Sequence, residues 1–266
     1  MNRTRSILLL ALAAAFWPVG RWYVVRMTDG SDEPWGIAAL AVAMVMPFRT
    51  HRSSEPLRCT TSIVAVLGIY LVTFPWLPPL VKGCLMMTAF ALALPGGAGA
   101  PGIRGLLLLS LPVMASAQFF AGFPLRVIAA KGAAALLHLG GCEVSASGAV
   151  LLWQGDPILV DAPCSGIRML WVGMAMFCIG AARAGLRWRP FLAGFAVAVA
   201  VIVAANSVRC ALVFVEEAGI AEVPEGWHTG VGLAVFACTG CLLLAFAGRL
   251  GTTRYRYLHV HEASST

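Results

Sequence analysis

Eight stretches of this chain run for most of a membrane span with no more than one charged side chain each: residues 6–22, 35–48, 59–77, 80–95, 103–121, 165–182, 190–214 and 228–248. A helix needs about 20 apolar residues to cross a bilayer, and the second stretch is short by that measure. The runs are continuous rather than alternating, which excludes a β-barrel. Helices then remain, because lipid offers no partner to an unpaired backbone group. Only 12% of the residues are charged and 59% are hydrophobic. A soluble domain carries about 25% charged residues, so this chain lacks the polar surface to face water all round, and it is far too apolar to be disordered. The expected fold class is an all-α polytopic membrane protein with about eight transmembrane helices.

Charge sets the expected orientation. The net charge is +7, from 19 Lys and Arg against 12 Asp and Glu. In a membrane protein that excess belongs to cytoplasmic loops. No basic run is interleaved with aromatics, so nucleic acid is not an expected partner. Arg3 and Arg5 precede an apolar run from Ile7 to Trp17, like a signal peptide retained as the first helix. The basic groups Arg49, His51, Arg52 and Arg58, then Arg183, Arg187 and Arg189, then Arg249, Arg254 and Arg256 should lie inside. The acidic loop with Glu216, Glu217, Glu222 and Glu225 should lie outside. Arg21 and Arg26 run against this pattern.

The scheme closes only if 124–140, which carries Arg126, Lys131 and His138, does not cross. It is therefore expected as a helix lying on the outer interface or re-entering. Residues 141–163 follow, with Gly, Ser and β-branched residues that predict two short strands around a Gly155-Asp156-Pro157 turn. With no internal repeat or linker, 1–266 is expected to form a single integral membrane domain. Its parts are N-terminal spans over 6–121, an interfacial and extracytoplasmic segment over 122–163, spans over 164–248 and a cytoplasmic tail over 249–266.

Three polar oddities stand out. Asp161-Ala162-Pro163-Cys164-Ser165-Gly166-Ile167-Arg168 opens the sixth span. Pro163 suits a helix start, and Cys164 would then sit by the first turn, where free N–H groups and the helix dipole lower a thiol pKa. The other seven cysteines read as small apolar residues. Asn206 and Arg209 interrupt the seventh span; a central arginine costs at least about 2.5–3.5 kcal/mol. Arg209 stands five residues from the expected helix end, roughly 7–8 Å by helical rise. It can snorkel, but Asn206 on the same face argues for an interior polar site. His228 follows Trp227 at the start of the eighth span. The topology brings Cys164, Arg209 and His228 to the outer boundary together, as an acyl-transfer site would need. Cysteine would be the nucleophile, histidine general base and then acid, and arginine the oxyanion stabiliser.

The string DAPCSGIRML, followed by NSVR and then WHTG, resembles the exosortase/archaeosortase family of membrane-embedded cysteine transpeptidases. The likeness is good over about 120–248, whereas the first four spans match only as generic helices. It implies a cysteine protease/transpeptidase of the bacterial inner (plasma) membrane with its site on the extracytoplasmic side. The implied partners are exported proteins that end in a Pro-containing motif such as Pro-Glu-Pro (PEP-CTERM-like), a transmembrane helix and a basic tail. They would be cut near the motif and transferred to an acceptor, with membrane lipid as the surroundings. Cys164, Arg209 and His228 become the catalytic set. Arg168, one turn below Cys164 on the same face, Asn206 and Asp161 form the substrate-binding set; Asp161 reads more readily as a helix cap. No cofactor or metal is implied.

A transporter or channel with a polar path through Asn206, Arg209 and Lys131 is the competing reading, and an assembly factor with lapsed chemistry a third. Transporters show repeated halves and broken helices near mid-membrane, whereas the polar residues here gather at one face. Cys238 and Cys241 read as packing residues at helical spacing. The Gly-rich Pro95–Gly102 loop lacks the Lys-Ser/Thr of a phosphate loop.

Overall fold

Prolines decide where the helices of this chain begin and stop. The computed structural model describes residues 3–30, 34–50, 59–96 and 100–263. Helix α1, Arg3–Ala15, and α2, Trp17–Thr28, meet at a 75° bend. Pro18 in the first turn of α2 has no N–H to continue the ladder, so the first expected span is broken. Helices α3 (Trp35–Thr50), α4 (Thr60–Thr73) and α5 (Pro79–Ala93) have 16, 14 and 15 residues. Pro75 lies just past the end of α4 and Pro79 opens α5. Residues 51–58, which hold His51, Arg52 and Arg58 of the expected basic loop, lie outside the described residues.

The fifth expected span and the expected interfacial helix are both corrected. Helix α6 is short, Pro101–Leu109. The chain breaks at Ser110–Val113, around Pro112, and one helix, α7, then runs from Met114 to Leu139. Residues 124–140 are therefore mostly the second half of a 26-residue helix, which passes through Pro124 and is apolar and long enough to cross.

Three strands follow: β1 (Val144–Ser147), β2 (Val150–Trp153) and β3 (Asp156–Leu159), in an antiparallel meander. Two strands about Gly155-Asp156-Pro157 were expected. The turn instead falls on Gln154 and Gly155, both at positive φ (52° and 95°), the geometry a two-residue hairpin needs. Asp156 and Pro157 belong to β3, an edge strand that tolerates a proline. A 3₁₀ turn, Pro163–Ser165, leads to α8 (Ile167–Arg183), α9 (Trp188–Glu217) and α10 (Trp227–Ala263). The backbone of the expected tail over 249–266 continues α10 as far as Ala263.

Among the described residues three helices, α7, α9 and α10, are long and apolar enough to cross a membrane, or four if the bent α1–α2 pair is one span. Eight spans are not reached. A 14-residue helix such as α4 rises only about 21 Å, against a hydrocarbon core of about 30 Å. Composition marks apolar runs, but proline shortens the helices they form.

The chain forms two compact units: 1–113 with 178–192 and 247–266, and 114–177 with 193–246. In the first, Phe16 of α1–α2 meets Tyr70 of α4 with ring centroids 4.4 Å apart. In the second, α7 turns a face of Ala129, Ala130, Ala133, Ala134 and Leu137 inward, a helical spacing. Val144, Leu151 and Val160 from the sheet region close over this face, with Cys210, Ala211 and Phe214 of α9. Trp153 stands edge-on to Phe214 at 6.4 Å. Gly132 lets α7 approach Ser207, where a Cβ would come within 2.4 Å of the hydroxyl oxygen.

Candidate active site

All the residues expected to carry chemistry fall in the second unit. Cys164 does not lie on α8. It sits in the 3₁₀ turn, and Gly166 at φ +80° separates that turn from the helix. Each residue of Cys164-Ser165-Gly166 has a structural reason. The Cys164 N–H donates to Asp161 Oδ1 at 3.1 Å, so Asp161 fastens the turn from one residue before its cap position, Ala162. Ser165 Oγ donates to Gln118 Oε1 of α7 at 3.1 Å and accepts from the Ile167 N–H at 3.4 Å. Gly166 supplies the left-handed backbone and the space for Asn206, because a Cβ there would lie 2.6 Å from Asn206 Cγ. Asn206, 4% exposed, donates from Nδ2 to the Cys164 carbonyl at 3.0 Å.

That crowding predicts the behaviour of Gly166→Ala. A left-handed alanine costs about 1–2 kcal/mol. The methyl also displaces Asn206 from a buried hydrogen bond, which adds about 1–3 kcal/mol. The variant should unfold earlier in mixed micelles than the parent; equal stability would contradict the packing described.

The expected depression of the Cys164 thiol pKa is corrected. The pKa is pushed up, first by a hydrogen bond with the Cys210 thiol, then by burial and by the Asp161 carboxyl; the Arg209 charge opposes. These neighbours outweigh the nearby start of α8. The Cys164 side chain is buried, 7% exposed. Cys210, read from sequence as an ordinary small residue, donates from Sγ toward the Cys164 carbonyl at 3.6 Å. Its sequence signal was its place four residues after Asn206, on the same helix face.

Arg209 and His228 meet. Arg209 Nη2 is 3.4 Å from His228 Nε2. The guanidinium lies over Gly232, where a Cβ would sit 3.3 Å from Nε. Helix α9 ends at Glu217, so Arg209 stands eight residues from its end, about 12 Å by rise, deeper than the sequence placed it. His228 is the second residue of α10, and Trp227 Nε1 pins that helix start to the Leu212 carbonyl of α9 at 3.1 Å. On its other side His228 Nδ1 is 4.0 Å from Glu217 Oε1. Among the described residues no hydrogen bond joins Cys164 to His228; Arg209 stands beside the imidazole and its charge is felt at the thiol. Arg168 is exposed at the second position of α8. Its expected place one turn below Cys164 assumed an unbroken helix, which Gly166 interrupts. Ser165, Gln118, Cys210 and Glu217 were not foreseen.

A family model described as transmembrane exosortase (Exosortase_EpsH) matches residues 2–245. The chain belongs to the transmembrane exosortase family. The match takes in the N-terminal helices as well, which by sequence looked generic. This exosortase-family chain is a multi-pass membrane protein. No curated protein and no solved structure matches it.

Proposed function

We propose that the chain is a cysteine transpeptidase. It would cleave a C-terminal sorting signal of the PEP-CTERM kind from exported proteins at the outer membrane–water boundary and pass them to an acceptor. The observation that carries the reading is the pairing of Arg209 with His228, with the Arg209 charge felt at a cysteine whose turn is held by Asp161 and Asn206.

A base must take the Cys164 proton as the sulfur attacks, and His228 Nε2 is the base once the Arg209 guanidinium has left it for the substrate oxygen. The sulfur adds to the scissile carbonyl while Arg209 stabilises the developing oxyanion. The C–N bond then breaks, the leaving amine takes the proton from His228, and a thioester remains on Cys164. An acceptor hydroxyl, amine or water gives its proton to His228 and attacks the thioester, and the proton returns to sulfur. Asn206 and Asp161 are positioning residues in this scheme, and Arg168 is the group offered to the substrate motif. The site faces outward on the loop-charge pattern.

The test is a reporter exported in cells with and without the enzyme, carrying a Pro-Glu-Pro motif, a transmembrane helix and a basic tail. Mass spectrometry should find the reporter shortened near the motif only when the enzyme is present, and a motif-deleted reporter intact. Equal processing of both reporters, or of neither, would remove the sorting-signal reading.

A further inference from the structure

Arg209 decides which nitrogen of His228 can hold the ring's proton. A guanidinium only donates, so the contact of Nη2 with Nε2 at 3.4 Å makes Nε2 the acceptor. The proton of the neutral imidazole therefore belongs on Nδ1, which is 4.0 Å from the carboxylate oxygen of Glu217. A carboxylate only accepts, so Glu217 favours the same tautomer from the opposite side. It also answers an electrostatic difficulty. When His228 takes a second proton it becomes a cation beside Arg209, and a negative charge across the ring is what offsets the repulsion.

We propose that Glu217 is a positioning residue for His228: it holds the Nδ1–H tautomer, aims Nε2 at the site and stabilises the imidazolium that forms next to Arg209. This deepens the transpeptidase reading, and its kinetic arm rests on that reading. The residue sits at the C-terminal end of α9 and His228 at the start of α10, so the turn between the two helices brings them together. Among the described residues the ionisable groups at the ring are Arg209 and Glu217, both from α9. No ion pair joins His228 to Glu216, Glu222 or Glu225 of the same acidic turn, or to Asp161 of the 3₁₀ turn.

Selective ¹⁵N-histidine labelling in micelles reads the tautomer and the titration of His228 without any substrate. The parent should show Nδ1–H. Glu217→Gln removes a negative charge, which destabilises the imidazolium, so the His228 titration should move to lower pH. In the processing assay the limb that rises with pH should then move to lower pH by the same amount. The maximal rate should drop roughly tenfold with KM little changed, and Glu217→Asp should recover most of it. An Nε2–H tautomer in the parent, or an unmoved His228 titration in Glu217→Gln, would overturn the proposal. A purely structural role would lower the rate without moving the limb. Since the spectra need no turnover, a chain that processes no tail would sink the transpeptidase reading while the spectra still decide the Glu217–His228 pair.

Discussion

Cys164→Ala should leave the reporter at its full length, with processing reduced on the order of 10³-fold or more, because the proposed thioester forms on the Cys164 sulfur. The fold should survive the change. The turn is held by backbone bonds, from the Cys164 N–H to Asp161 and from Asn206 to the Cys164 carbonyl, and alanine keeps both. Cys164→Ser sharpens the test. It keeps the shape and a proton, but a hydroxyl gives up that proton far less readily than a thiol, so it too should be inactive. Thermal unfolding in detergent separates loss of chemistry from loss of structure. A Cys164→Ala protein that folds and still shortens the reporter would eliminate the nucleophile assignment.

Arg209→Ala should cost about 10²–10³-fold in processing rate, the usual loss when one oxyanion donor is removed. The guanidinium also neighbours Nε2 of His228, so its loss frees the imidazole to adopt the other tautomer. Arg209→Lys should recover little. A compact ammonium has no planar fork to span both the imidazole and a substrate oxygen. The site tolerates an arginine deep in α9 because Gly232 leaves room above α10 and His228 gives it a partner. An alanine variant with parental rates would take Arg209 out of the chemistry and leave it a structural cation.

Much of the candidate site was legible because its polar residues are concentrated in short strings. Cys164, Arg209 and His228 are polar residues at the edges of apolar runs, where insertion cost makes any polar residue conspicuous. Cys210 was not legible, since a cysteine in an apolar helix looks like any small packing residue; only its register against Asn206 singles it out. Glu217 was read as part of an acidic loop, and its contact with His228 exists only because the α9–α10 turn folds back. The error over the Cys164 thiol came from Cys210 and burial, which no local string shows; Gly166 hid the break before α8. A glycine at φ +80° ends one turn and begins another, whereas the string CSGIR reads equally well as a continuous helix.

Composition alone settled the membrane setting and the helical class, because apolar surface and backbone polarity leave a chain few choices in lipid. The order of the three candidate residues is likewise written in the chain. Helix lengths were a tertiary and local matter: Pro18, Pro75 and Pro112 cut apolar runs that hydropathy treats as whole, while α7 runs on through Pro124. The resting state of the thiol, the partner of each imidazole nitrogen and the bond that holds the cysteine turn were decided only by packing. Each depends on atoms from 11 to 46 residues apart in the chain coming within about 4 Å, and at that range hydrogen bonds and charges set the chemistry.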